Sequence, residues 1–232
     1  MKSQLIYNKT IGIIITCAGT GSRYDSNELK QLVCVNGLSI LAHTCKCFFF
    51  LEKFVSEIIV TVPFSKKNEI EKHMKDSNFP FKVKVIVGGA SRAESVKLGF
   101  EALRPVDVVL IHDGVRPNVS TALIENLLGA LETRDAVVPV TSVSDTLKTI
   151  SKGIISGSVN REEVMAVQTP QGFNYSLLKK AYQSSFSENA TDESSLVQKL
   201  GAPVHTIQGE TSNIKITTKV DLSLFKLFLR EC

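Results

Sequence analysis

Five short apolar runs set the frame of this chain: Ile11–Thr16, Glu57–Val62, Val83–Val87, Val106–Ile111 and Ala136–Val140. They are nearly all aliphatic or β-branched, as strands covered on both faces should be. Helix-patterned segments lie between them, at Ser39–Leu51, Lys66–Lys75, Arg92–Leu103 and Thr121–Leu131. Ser91-Arg92-Ala93-Glu94 is a capping box for the third helix. Gly129 weakens the end of the fourth. This alternation predicts an α/β fold built on a mostly parallel, doubly wound sheet. Right-handed crossovers then bring the loops after the strands to one edge, where ligands bind.

The alternation breaks after Val140. Two β-like runs, Thr146–Ile150 and Ile154–Val159, flank the turn signal Ser151-Lys152-Gly153. Residues 141–162 therefore predict a projecting β-hairpin arm rather than another strand–helix unit. Helices near Ser176–Gln183 and Asp192–Leu200, a strand at Pro203–Ile207 and a final helix from Thr218 to about Leu229 complete the chain. No repeat, low-complexity tract or linker divides it, so residues 1–232 are expected to form one domain.

The net charge is +4, and the lysines are interleaved with acids, so no stripe for nucleic acid stands out. Five cysteines occur without a C-x-x-C pair, which favours reduced thiols over zinc ligation or a disulfide framework. No run reaches the length of a membrane span, and no secretory leader is evident at the N-terminus. A cytoplasmic protein is the expectation, with neither membrane nor nucleic acid as partner.

The first strand feeds a glycine-rich loop, Ala18-Gly19-Thr20-Gly21-Ser22-Arg23, and Lys30 follows in Leu29-Lys30-Gln31. Such a loop brings backbone N–H groups close to an anion. A dinucleotide fingerprint would need Gly or Ala where Tyr24 stands, and an acid where the second strand ends at Val62-Pro63. A phosphate loop of the Gly-Lys-Ser/Thr kind is absent. An ordinary glycine turn and nucleotidyl transfer both remain open from these residues. Nucleotidyl transfer explains the cations: attack on an α-phosphorus charges its non-bridging oxygens and the departing pyrophosphate, and Arg23 and Lys30 can stabilise both.

A second cluster, His112-Asp113-Gly114-Val115-Arg116-Pro117, follows the fourth apolar run. Asp113 could hold Mg²⁺ against phosphates, and Arg116 could bind a second anionic group. A plain turn closed by Arg116-Pro117 is the competing reading. His112 reads as structural, since attack by a phosphate needs no general base. A third cluster, Gly88-Gly89-Ala90-Ser91-Arg92-Ala93-Glu94-Ser95, suits either a loop against a nucleobase or ribose, or simply a capped helix. Asp145-Thr146-Leu147-Lys148, Asn160-Arg161, Gln168-Thr169-Pro170-Gln171 and Asn213-Ile214-Lys215-Ile216-Thr217 are weak singly.

Together these segments resemble the cytidylyltransferases of isoprenoid and sugar-alcohol metabolism, and most closely the 2-C-methyl-D-erythritol 4-phosphate cytidylyltransferase family. The resemblance rests on AGTGSR, LKQ, GGASRAES, HDGVRP, DTLK, QTPQGF, TDES and NIKIT in that order, from Ile11 to Leu229. It implies a Rossmann-like nucleotidyltransferase fold, a homodimer, and Mg²⁺-dependent use of CTP with a polyol phosphate. It assigns Ala18, Gly19, Gly21, Ser95 and Gly114 to the cytidine nucleotide. It assigns Arg23, Lys30 and Lys215 to the reacting phosphates, and Asp113 to the metal and the methylerythritol end. Arg116 and Thr169 would hold the polyol phosphate, and Thr146 and Arg161 would complete the neighbouring subunit's site through the arm. Three positions depart from the family's habit: Thr16-Cys17 stands where Pro-Ala is frequent, Leu29 where proline is common, and Gly114 where alanine is usual. Ribitol 5-phosphate is the alternative acceptor, and a non-catalytic nucleotide-binding relative is the alternative from another class.

Overall fold

The Ile11–Thr16 run, β1, forms the centre of the sheet. In the computed structural model, which describes residues 8–18, 29–184, 186, 188 and 190–229, β1 lies between two parallel neighbours. Its side chains alternate between two cores. Ile11, Ile13 and Ile15 pack with Leu41, Phe48 and Leu110 on one face, while Ile14 packs with Val96, Phe100 and Val109 on the other. Fully burying one such aliphatic side chain contributes roughly 1.5–3 kcal/mol, which is why so short a run holds the centre.

The chain then runs through a small hairpin, β2 (Cys34–Val35) and β3 (Leu38–Ser39), into α1 (Ile40–Lys46). Next come β4 (Val55–Val62), α2 (Lys67–Asp76), β5 (Val83–Val87), α3 (Arg92–Ala102), β6 (Val108–Asp113), α4 (Thr121–Ala130) and β7 (Ala136–Ser142). The arm is β8 (Lys148–Ser151) with β9 (Ile154–Ser158). Beyond it lie β10 (Met165–Val167), β11 (Gln171–Asn174), α5 (Tyr175–Ser184), α6 (Glu193–Lys199), β12 (His205–Gln208) and α7 (Lys219–Phe228). Helices α1, α2 and α4 contribute to the first core and α3, α5 and α6 to the second, so the sheet is wound on both faces. Helix α7 seals a third, smaller core with Phe225 and Leu222 against Val35, Ile40, Val115 and Ile216.

The main sheet runs β10-β7-β11-β6-β1-β4-β5, with β12 on the other side of β7. It is mostly parallel, as the alternation predicts, but β11 is antiparallel to both β6 and β7. Gln171–Asn174 reads as part of a motif, not a strand, because four mixed residues carry no periodic signal. The open edges of β6 and β7 supply its hydrogen bonds. Strand β6 also begins later and ends later than Val106–Ile111 predicts. It takes in His112 and Asp113, because Thr16 of β1 pairs with Asp113.

The first predicted helix divides into α1 and a 3-10 turn at Phe49–Leu51. The Ser91 box is half formed: Ser91 Oγ accepts from Glu94 N, but the Glu94 carboxylate accepts from Ala90 N instead. The box at Thr218 and Asp221 is complete. The arm turns on Lys152 and Gly153, both at positive φ, the backbone that a two-residue hairpin turn requires. Among the described residues no helix is long and apolar enough to cross a membrane.

Candidate active site

Strands β1 and β6 end side by side, and three cations converge there on one carboxylate. Asp113 is 5% exposed. Its Oδ2 lies 2.9 Å from Lys215 Nζ and 3.4 Å from Arg116 Nε, and its Oδ1 lies 3.5 Å from Arg92 Nε. Burial alone would raise the Asp113 carboxyl, but Lys215, Arg92 and Arg116 outweigh it and hold the group well below the usual carboxylate range. Arg92 is pushed the other way: burial works against its charge, and Glu193 and Asp113 more than compensate. Lys215 is the most open of the three, with 41% of its side chain exposed. An anion approaching this edge meets cations gathered around a rigid strand end, the arrangement that stabilises charge without reorganisation.

Four separated sequence motifs build the cluster: Arg92 comes from GGASRAES, Asp113 and Arg116 from HDGVRP, Thr169 from QTPQGF and Lys215 from NIKIT. Ile216 N bonds the Val115 carbonyl at 2.9 Å, which lays the Lys215 segment beside the end of β6. Asn213 is fully buried; its amide donates to Thr169 O at 2.8 Å and to Gln168 Oε1 at 3.3 Å. Arg116 Nη1 donates to Asn213 O at 2.7 Å. The Thr169 hydroxyl accepts from Asp113 N at 3.1 Å and so donates to His112 Nδ1 at 2.9 Å. That leaves the proton of His112 on Nε2, donated to Arg116 O at 3.0 Å. Burial lowers the His112 pKa to about 4, so the ring is neutral and structural, as its sequence context suggests. Thr169 acts inward, on the strand that carries Asp113.

Beside this edge, Ala18, Gly88 and Ser95 meet. A Cβ on Gly88 would stand 2.6 Å from the Ala18 methyl and 2.7 Å from Ser95 Oγ, so only glycine fits. Ser95 is buried; its hydroxyl accepts from Gly89 N at 3.0 Å and donates to Ser91 O at 2.8 Å, which stiffens the glycine loop. Gly114 lies against Cys17: a Cβ there would be 2.1 Å from Sγ. Two of the family departures are thus one contact. Burial first, and Asp113 second, push the Cys17 thiol up, so it is a neutral filler. Gln31, which sequence reasoning left without a role, is buried and donates to Cys17 O at 3.1 Å. It ties the 3-10 turn of Lys30–Leu32 to the end of β1, within reach of the Lys30 charge on Cys17. Gly19, Gly21 and Arg23 lie outside the described residues.

Thr146 and Arg161 are exposed on the arm, where Arg161 Nη1 donates to Ser144 O at 2.9 Å. Neither is bonded to the Asp113 cluster among the described residues. Two further side chains emerged only from the structure. Arg92 joins the cluster, and fully buried Glu193, at the start of α6, holds Arg92 Nη1 at 3.0 Å. Their only sequence signal is membership of GGASRAES and TDES. The donor set does not fit a resident divalent cation. Among the described residues no group of three His, Cys, Asp or Glu side chains converges, and both Asp113 oxygens already face cations.

A family model for 2-C-methyl-D-erythritol 4-phosphate cytidylyltransferase matches residues 11–231. The curated enzyme of that description from Geotalea uraniireducens is 36% identical over 94% of this chain and 95% of its own length. A bifunctional IspD/IspF enzyme from Desulfotalea psychrophila is 37% identical over 96% of the chain, which spans 58% of that longer protein. The crystal structure of 4-diphosphocytidyl-2C-methyl-D-erythritol synthase from Anaerococcus prevotii is 31% identical, with a TM-score of 0.79 over 96% of this chain and 99% of that one.

Proposed function

Because the chain belongs to the 2-C-methyl-D-erythritol 4-phosphate cytidylyltransferase (IspD) family, we propose that its Asp113 cluster is where CTP and that acceptor react. The protein is a cytidylyltransferase, a kind of nucleotidyltransferase, acting in the non-mevalonate route to isoprenoid precursors. An acceptor phosphate oxygen forms a bond to the α-phosphorus of CTP as the bond to the β-phosphate oxygen breaks. The products are the CDP-linked alcohol and pyrophosphate. The observation that carries this reading is the convergence of Lys215, Arg116 and Arg92 at the ends of β1 and β6. The attacking oxygen is already anionic, so a neutral, buried His112 suffices beside it.

In this reading Lys215, Lys30 and Arg23 stabilise the charge that moves onto pyrophosphate. Arg116 holds the acceptor phosphate, and Thr169 sets the strand end beneath it. Ala18, Gly19, Gly21, Ser95 and Gly114 frame the cytidine. A divalent cation, if used, would be held by the oxygens of the triphosphate and would neutralise their charge, since Asp113 is already paired with cations. Two copies of the chain pair through the arm, bringing Thr146 and Arg161 to the acceptor site of the second copy, in the cytoplasm. The test offers CTP and Mg²⁺ with methylerythritol phosphate or ribitol 5-phosphate and measures pyrophosphate release. Release with the first is expected. Release with ribitol phosphate alone would reassign the acceptor, and release with neither would favour a non-catalytic relative.

A further inference from the structure

Arg92 is stretched between two carboxylates. Its Nη1 lies 3.0 Å from Glu193 Oε2 and also donates to Thr191 O at 3.4 Å, while its Nε stands 3.5 Å from Asp113 Oδ1. Lys215 holds Asp113 more closely, at 2.9 Å. The guanidinium therefore sits nearer the carboxylate behind the site than the one within it. Glu193 itself has no exposed surface, and its second oxygen has no hydrogen-bond partner by geometry. The Tyr182 hydroxyl of α5, likewise buried, lies close enough to Glu193 for that carboxylate, after burial, to help keep the phenol protonated.

We propose that Glu193 is a positioning residue for cytidylyl transfer, acting through Arg92 on Asp113 and Lys215. A buried ion pair adds little to stability over a neutral pair of the same volume, so stability alone is a weak reason for charges here. Position supplies a better one. With Glu193 in place, Arg92 is held back and Asp113 remains the partner of Lys215. Without it, Asp113 is the only carboxylate left to Arg92 among the described residues, and Arg92 moves in and displaces Lys215 from its aim at the phosphates. This inference rests on the reading of the Asp113 cluster as the phosphate site.

The test is a set of variants assayed for pyrophosphate release: Glu193→Gln, Arg92→Met, the two combined, and Glu193→Asp. Glu193→Gln is expected to lower kcat by up to about a hundredfold, the scale of a small misplacement at a reacting centre, with KM for CTP little changed. In the Arg92→Met background the same change is expected to cost nothing further. The combined variant, neutral and similar in volume, is expected to melt near the native temperature and to be faster than Glu193→Gln alone, since no Arg92 remains to displace Lys215. Glu193→Asp, which keeps the charge, is expected to retain more kcat than Glu193→Gln. A combined variant as slow as Glu193→Gln alone would overturn the proposal. So would an equal loss from Glu193→Gln in both backgrounds, or equal activity in Glu193→Asp and Glu193→Gln. Failure of the unmodified chain to release pyrophosphate would instead overturn the functional reading.

Discussion

Cys17 and Gly114 share one space between the ends of β1 and β6. A methyl on Gly114 would meet Cys17 Sγ at 2.1 Å, and the Thr16 carbonyl 3.1 Å away leaves no room to retreat. Gly114→Ala is therefore expected to cost about 1–3 kcal/mol of stability, the scale of an overpacked core. Adding Cys17→Ala should recover most of it; urea unfolding of the single and double variants checks this. His112 makes a second residue-scale prediction. Its pKa falls from 6.5 to about 4 on folding, chiefly through burial. Between those values the unfolded chain binds a proton that the folded chain refuses. The His112 contribution is thus complete above pH 6.5 and is lost as pH falls toward 4, by about 3 kcal/mol in all. Urea midpoints at pH 7 and pH 5 should differ less in His112→Gln than in the native chain. Asp113 acts in a lower window: its depressed pKa contributes stability above the ordinary carboxylate range that is lost only under stronger acid.

Elements carry their own start signals, and two of these, at Ser91 and Thr218, are legible in the sequence. Ser39, Ser91, Ser120, Asp192 and Thr218 each cap the helix that follows by accepting a backbone N–H. Asp192 does more than cap. One oxygen accepts from Ser195 N at 3.2 Å, and the other takes the Gln171 amide at 2.9 Å, which ties α6 to the short strand β11. Asp192→Ala should lower stability by about 1–2 kcal/mol through the lost cap. The loss should be visible as a reduced melting temperature, and pyrophosphate release should fall with it if Glu193 next door loses its place. The strand β11 itself shows where element-scale reading stops. Gln171–Asn174 is a strand because β6 and β7 stand apart with unpaired edges, and not because of its own residues.

At the scale of the molecule the arm is the exception to burial. Ile150, Ile154 and Ile155 are 68%, 72% and 64% exposed on a two-stranded hairpin. Such a hairpin is marginal alone, and its apolar side chains call for a partner surface. Ile154→Asp combined with Ile155→Asp is expected to convert the proposed dimer to a monomer in sedimentation and to depress pyrophosphate release, since in that proposal Thr146 and Arg161 complete the second copy's site. A monomeric native chain with full activity would count against the dimer. The sequence by itself determined the five apolar strands, the caps at Ser91 and Thr218 and the hairpin turn, because each is written in neighbouring residues and short periods. Only the tertiary structure decided that Lys215, Arg116 and Arg92 share Asp113, that Glu193 stands behind Arg92, and that Cys17 fills the space at Gly114. Except for Arg116 and Asp113, three residues apart, those pairings depend on which segments the sheet order brings to one edge, and no local pattern encodes a contact between residues so far apart along the chain.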